Sequence, residues 1–303
     1  GVRGKKVRVI TYDDQGKPTE AAAATTKLIL QDKAQVIIGE VASSRSLAMG
    51  PIAQTNQVPM VTPSSTNPKV TEGKDFVFRI CFIDPFQGTV MAKFAREQLK
   101  LDAVAILRDI RNDYSVGLAN FFTEQFVKLG GKIAADQSYS AGDIDFKSQL
   151  TALRSAKPQA IFVPGYYTDV GLIARQAREL GIKVPLLGGD GWESEKLFEI
   201  GGEALDGSYY SNHYAVEDPA PAIANFVSQY KAKYNAVPDS MAALAYDAVK
   251  VVAAAMQRSK SLSGVDVRDA LAQTIGYAGV TGNITLDASR NAVKPAVVLK
   301  IEK

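Results

Sequence analysis

The sequence predicts an α/β protein of two lobes, each with a parallel sheet, and three observations carry that expectation. Short apolar runs alternate with amphipathic stretches for most of the 303 residues. The alternation restarts after "FVFRI" (76–80), through "DPFQG" (84–88). Near "YYSNHYAVEDPAP" (209–221) the strands pause for two long helical stretches before a strand-rich tail. Strands that alternate with helices build parallel sheets covered on both faces. A chain that leaves one such unit, builds another and returns makes two lobes joined by several strands, which is a hinge.

The elements follow in order. "VRVIT" (7–11) reads as the first strand, followed by an Ala-rich helix over 18–33 with Pro18 at its first position. "QVIIG" (35–39) leads into a helix near 45–55, and "PMVT" (59–62) into a turn-rich loop. "FVFRI" precedes a helix over 86–99, and "DAVAIL" (102–107) a helix over 114–129. "KIAADQSY" (132–139), a helix near 144–155, "AIFVP" (160–164), a helix near 169–180 and "VPLLG" (184–188) extend the series. Helices over 220–235 and 239–258 come next. The tail, 283–302, reads as a hairpin of two strands turning around 289–291. These elements place lobe 1 at 1–82 and 213–278, and lobe 2 at 83–212 and 279–303.

Composition removes several function classes. Lys and Arg exceed Asp and Glu by only three and are scattered, which does not suit a nucleic-acid partner. No run approaches the roughly 18 apolar residues of a membrane span. Cys81 is the only cysteine and His213 the only histidine, so neither an intrachain disulfide nor a Cys/His zinc site can form. Residue 1 is Gly and no secretory leader is recognisable, so the chain reads as processed or trimmed.

Catalytic patterns are few. "YDAVK" (246–250) has the Tyr-x-x-x-Lys spacing of short-chain dehydrogenases, but no glycine-rich dinucleotide loop follows the first strand. A packed Tyr246 beside a solvated Lys250 explains it more simply. "SQYK" (228–231) matches Ser-x-x-Lys only weakly, and the paired acids of "YDDQG" (12–16) read as a polar strand-to-helix turn rather than a cation site.

Strand ends say more, because ligands of open α/β sheets bind beyond the carboxyl ends of the strands. There "EVASSRS" offers Ser43 and Ser44 where a helix begins, and "TPSSTNP" offers Ser64, Ser65 and Thr66 in a tight turn. Such hydroxyls, with free N–H groups at a helix start, suit a carboxylate. A plain helix cap accounts for any one serine, and two such loops shift the balance toward a site. In lobe 2 the strand ends offer Tyr114, Tyr166, Trp192 and one acid, Asp190, within "GGDGWES". Aromatic walls around a carboxylate suit an ammonium group above an apolar body. Together these loops describe a zwitterion bound without chemistry.

With those loops on the page, the chain resembles the type I periplasmic binding proteins of ABC transporters, in the leucine/isoleucine/valine-binding branch. The resemblance rests on "VRVITYDDQGKPTEAA", "VIIGEVASSRS", "VPMVTPSSTNP", "DYSVGLA", "GDIDFKSQL", "GYYTDVGLIARQARELG" and "PLLGGDGWES", spread over nearly the whole length. It implies two Rossmann-like lobes closing over an amino acid, the closed form being what a membrane permease recognises. It also implies that Ser43, Ser64 and Thr66 hold the ligand's carboxylate, Ser64 mainly through its backbone. Tyr114 and Tyr166 line the pocket, and Asp190 takes the ammonium. Gly16 and Ala42 stand where some members have a disulfide, and Trp192 and Glu193 are bulkier and more polar than expected beside the acid. The family's first strand, loop and helix have no counterpart ahead of "VRVIT", so the natural protein is expected to be longer at its N-terminus.

The expected function is therefore extracytoplasmic capture of an apolar, branched-chain-like amino acid for an ABC transporter permease. The protein is expected to be a monomer, without catalysis, cofactor, metal or nucleic acid. Three alternatives stay open: an amide, polyamine-like or aromatic acid ligand on the same fold, a ligand-sensing receptor domain, and, furthest off, a nucleotide-dependent enzyme.

Overall fold

The computed structural model describes residues 1–302. The chain divides into two compact units, one of residues 1–83 and 216–295, the other of residues 84–215 and 296–303. Unit 1 begins with α1 (Pro18–Leu30), β1 (Ile37–Ile38), α2 (Ser43–Thr55), β2 (Met60–Thr62) and β3 (Val77–Arg79). Unit 2 runs α3 (Asp84–Lys93), β4 (Ala103–Asp109), α4 (Asp113–Lys128), β5 (Lys132–Tyr139), α5 (Lys147–Ser155) and β6 (Ala160–Phe162). It continues with α6 (Tyr167–Glu179), β7 (Leu186–Gly188), α7 (Glu195–Gly201) and β8 (Tyr209–Asn212). Back in unit 1 come α8 (Pro221–Tyr234), α9 (Ser240–Arg258), α10 (Gly264–Ala272), β9 (Tyr277–Gly279), β10 (Gly282–Leu286) and β11 (Ala292–Val293). The final strand, β12 (Val297–Lys300), belongs to unit 2.

Unit 2 is built on a six-stranded sheet in the order β12-β8-β7-β6-β4-β5. Every pairing is parallel except that of β12 with β8. Side chains alternate across this sheet, so each strand feeds two cores. Val104, Ile106, Ala160, Phe162 and Leu187 pack with α3 and α4 residues on one face. Ala105, Leu107, Ile161, Val163 and Leu186 pack on the other with Leu150, Val170, Ile173 and Leu197. Burial on both faces is why these strands read as unbroken apolar runs. Stacking fixes the first core further: the rings of Phe122 and Phe162 lie 4.0 Å apart, 15° from parallel.

Unit 1 has a short parallel sheet, β1-β2-β3, and an antiparallel one, β11-β10-β9. One core joins Val61, Phe78 and Ile80 to Leu244, Ala248 and Val251 of α9, and to Ile284 and Leu286 of β10. A second joins Ile37, Met60 and Val77 to Met49 and Ala53 of α2 and Ala21 and Ile29 of α1.

Two expectations are corrected here. "VRVIT" is not a strand: β1 is the edge of its sheet, and residues 7–11 make no ladder with it. Val7 and Val9 are 65% and 81% exposed, so their alternation finds no core to face. The tail is not a single hairpin. β10 turns through 287–291 and pairs with β11, as Thr285 with Val293 and Leu286 with Ala292. The chain then crosses after Pro295, and β12 joins β8 instead. Residues 279–295, expected in lobe 2, thus belong to unit 1, because the β9-β10-β11 sheet packs on α9. Among the described residues no helix is long and apolar enough to cross a membrane.

Candidate functional site

In unit 1 the two hydroxyl-bearing loops are latched to each other. Thr62 donates its hydroxyl to the Glu40 carbonyl at 2.6 Å and accepts the N–H groups of Ser64 (3.3 Å) and Ser65 (3.0 Å). Ser65 Oγ lies 2.7 Å from Ser46 Oγ and donates to the carbonyls of Glu40 and Val41. Beneath this turn sits Arg79, wholly buried at the end of β3. Its guanidinium donates to the carbonyls of Ser65 (2.7 Å), Asn67 (2.9 Å) and Pro68 (3.2 Å), and to Thr71 Oγ1 (3.0 Å) and Asn291 Oδ1 (2.6 Å). Arginine's planar fork suits such divergent anchoring. Sequence reading passed over Arg79, whose only signal was a charge inside an apolar strand run.

The helix-cap explanation of Ser43 does not hold. Ala42 caps α2 without a side-chain bond, and Ser43 is the first helical residue. Ser43 Oγ instead accepts the Asn67 N–H at 3.1 Å, which leaves its own proton to donate elsewhere. Ser64 Oγ and Thr66 Oγ1 are buried and have no hydrogen-bond partner among the described residues. Buried hydroxyls are nearly always bonded, so two together in the turn after β2, which is tied to Ser43 through the Asn67 N–H, mark a place built for an acceptor.

In unit 2 the carboxyl ends of β4, β6, β7 and β8 lie along one edge of the sheet, since the four are parallel neighbours. Each delivers one polar or aromatic residue there. Asn112 caps α4 by accepting the Tyr114 N–H at 3.1 Å, which sets Tyr114 in the first turn after β4. Tyr166 precedes α6 after β6, and the rings of Tyr114 and Tyr166 stack at 5.2 Å and 25°. Asp190 follows β7 and opens a short 3-10 turn, Asp190–Trp192. His213 follows β8.

These groups converge on one carboxylate. Asp190 is 2% exposed; its Oδ1 accepts the Tyr114 hydroxyl at 2.9 Å and its Oδ2 meets His213 Nε2 at 2.9 Å. Tyr114 also accepts the Gly191 N–H at 3.1 Å. The Asp190 N–H goes to Gln87 Oε1 (2.8 Å), which also accepts Ser211 Oγ–H (2.7 Å). Burial, then the charges of Asp190 and Asp84, push the Tyr114 hydroxyl well above its usual pKa, so it stays protonated and donates. His213 and Gln87 were not foreseen as parts of this cluster; the signal was a lone histidine one step past a strand end.

Trp192, expected as an aromatic wall of the pocket, is fully buried and packs in the unit 2 core. Its indole N–H goes to the Val163 carbonyl at 2.9 Å, and its ring stacks on Tyr210 at 6.0 Å. Glu193 accepts the Tyr210 hydroxyl at 2.6 Å. The glycines ahead of Asp190 serve this packing. A Cβ on Gly188 would lie 2.0 Å from the Trp192 ring, and one on Gly189 would lie 2.5 Å from the Tyr114 hydroxyl oxygen. Among the described residues no group of three or more His, Cys, Asp or Glu side chains could hold a metal ion.

Parallel sheets with polar groups gathered beyond the carboxyl ends of their strands are the arrangement in which open α/β folds bind small molecules. Residues 1–303 match the family described as periplasmic binding protein, and the chain belongs to it. It is 30% identical, over 289 residues, to the leucine-, isoleucine-, valine-, threonine- and alanine-binding protein of Pseudomonas aeruginosa, covering 95% of this chain and 76% of the relative. Among solved structures it is similar to the leucine binding protein LivK from Thermotoga maritima. The identity is 43%, the TM-score 0.97, and the match covers 100% of this chain and 86% of that one. It is likewise similar to the branched-chain amino acid transporter substrate binding protein LivJ from Streptococcus pneumoniae, in complex with isoleucine. There the identity is 35%, the TM-score 0.94, and the coverage 100% and 86%.

Proposed function

We propose that this chain is an extracytoplasmic substrate-binding protein, not an enzyme, that captures a branched-chain amino acid and hands it to an ABC transporter permease. The Pseudomonas aeruginosa relative's named ligands and the isoleucine in the Streptococcus pneumoniae structure support an aliphatic α-amino acid. The observation that carries the reading is the division of polar groups between the units. Unit 1 has Ser64 and Thr66 hydroxyls buried without partners, beside Ser43 at the start of α2. Unit 2 has a buried carboxylate at the end of β7, Asp190, held by Tyr114 and His213. The first set complements a carboxylate and the second an ammonium, the two ends every α-amino acid presents.

In this reading Ser43, Ser64 and Thr66 take the ligand's carboxylate, and Asp190 takes its ammonium. Tyr114 and Tyr166 form the aromatic surface beside it, and the protein acts as a monomer. The test is a thermal-shift screen across the amino acids and their des-amino and amide analogues. A ligand at a hundred times its dissociation constant adds about 2.7 kcal/mol of stability. Stabilisation by leucine, isoleucine or valine supports the reading; none by any amino acid ends it.

A further inference from the structure

The single histidine is built into the acid's surroundings. His213 is buried one residue past β8, with Nε2 2.9 Å from Asp190 Oδ2. An ionised carboxylate can only accept, so the proton in that bond sits on Nε2. Tyr114 holds the other oxygen from α4. The terminal torsion of an aspartate is broad, so one bond leaves the carboxylate plane free to swing. Two donors from different strand ends fix it. Each oxygen then keeps room for a further donor, since a carboxylate has about four lone-pair sites and these bonds use two.

The place of His213 is itself determined. Its N–H goes to Asn212 Oδ1 at 2.8 Å, and the preceding Ser211 hydroxyl is held by Gln87, the same side chain that takes the Asp190 N–H. The end of β8 and the turn after β7 are therefore tied together twice, once through Gln87 and once through His213. We propose that His213 is a positioning residue for amine recognition, fixing the plane in which Asp190 offers its remaining lone pairs to the ligand's ammonium. This deepens, and rests on, the amino-acid reading above. The tie to Asp190 makes His213 a determinant of affinity for the amine end rather than a filler of space.

The experiment compares the full chain with His213→Gln and His213→Leu by titration calorimetry with L-leucine, alongside thermal melts. The Gln amide nitrogen reaches the place of Nε2, whereas Leu fills a similar volume without a donor. His213→Leu should weaken leucine binding about tenfold, the scale of one hydrogen bond to a charged group, and His213→Gln should recover most of it. Because the chain has one histidine, ¹⁵N-histidine labelling of the unmutated protein gives a single Nε2–H resonance. That resonance should move when leucine saturates the protein. If His213→Leu does not fold, this spectrum decides alone. Unchanged leucine affinity in His213→Leu, no recovery in a folded His213→Gln, or an unmoved resonance overturns the proposal. Failure of the wild-type chain to bind any branched-chain amino acid overturns the functional reading and this inference with it. Leucine binding that ignores His213 overturns this inference alone.

Discussion

Asp190→Asn removes the charge proposed to hold the ligand's amine while keeping the side chain's shape. In the native cluster two donors converge on the carboxylate, Tyr114 Oη at 2.9 Å on Oδ1 and His213 Nε2 at 2.9 Å on Oδ2. An amide offers one acceptor, so one of these donors meets an N–H2 group instead. A buried donor left without an acceptor costs about 1–3 kcal/mol, and urea unfolding measures that part separately. The binding part is the loss of a charge-assisted hydrogen bond to the ammonium, about 1.5–3 kcal/mol, or roughly ten- to a hundredfold in dissociation constant. Titration calorimetry with L-isoleucine reads it. The loss should fall on amine-bearing ligands only, so 4-methylpentanoate, which is leucine without its amine, serves as the comparison. An unchanged dissociation constant for isoleucine in a folded Asp190→Asn protein refutes the assignment.

Three further outcomes follow from the same geometry. Arg79→Met removes five guanidinium hydrogen bonds and leaves the Ser65 carbonyl with only the Cys81 thiol and the Asn67 carbonyl with only the Val70 N–H. It should destabilise the protein by about 3 kcal/mol or more in urea unfolding, with weakened ligand binding as the Ser64–Thr66 turn loosens. Gly189→Ala puts a Cβ 2.5 Å from Tyr114 Oη and 2.9 Å from Gln87 Oε1, so it should displace the tyrosine from Asp190 and weaken amino-acid binding. Calorimetry indistinguishable from wild type would refute this. Asp169 has its pKa raised from 3.8 to about 6, first by burial and then by the charge of Asp109. A carboxyl whose folded value is raised loses stability as pH climbs from its unfolded value to its folded one. Asp169→Asn should therefore melt higher than wild type at pH 7, with the difference shrinking as pH falls through 6 toward 3.8. A constant offset in paired thermal melts refutes it.

How much could be read from the sequence depended on whether a residue's role was local. The strands of unit 2 were legible because burial on both sheet faces demands runs such as "AIFVP" and "DAVAIL". "VRVIT" is also rich in β-branched residues, yet it lacks a neighbour, and no local pattern reports on a ladder partner. The tail's pairing failed for a similar reason: β10 and β12 are near in sequence but join different sheets, a choice made by the crossing after Pro295. Strand-end logic did place Ser43, Ser64, Thr66, Tyr114, Tyr166 and Asp190 at sheet edges. It could not place Gln87, Arg79 or His213, whose partners lie 103, 14 and 23 residues away.

The segment "GGDGWES" shows why adjacency in sequence misled. Asp190–Trp192 is a 3-10 turn, with about three residues per revolution, so residues two apart project to different sides. Asp190 faces Tyr114 and His213 at the strand-end edge, while Trp192 enters the core against Gly188 and Val163. The aromatic surface beside the proposed amine anchor is then the Tyr114–Tyr166 stack. This separates two effects that a shared pocket would merge. Trp192→Phe removes the bond to the Val163 carbonyl and part of a buried ring, so it should cost about 1–3 kcal/mol of stability. It should leave the ranking of leucine, isoleucine and valine unaltered. Tyr166→Ala, by contrast, removes half of the Tyr114 stack and should change that ranking with little loss of stability, since Tyr166 is only partly buried. A Trp192→Phe protein of normal stability with reordered ligand preferences would return the indole to the binding site and overturn this division of labour.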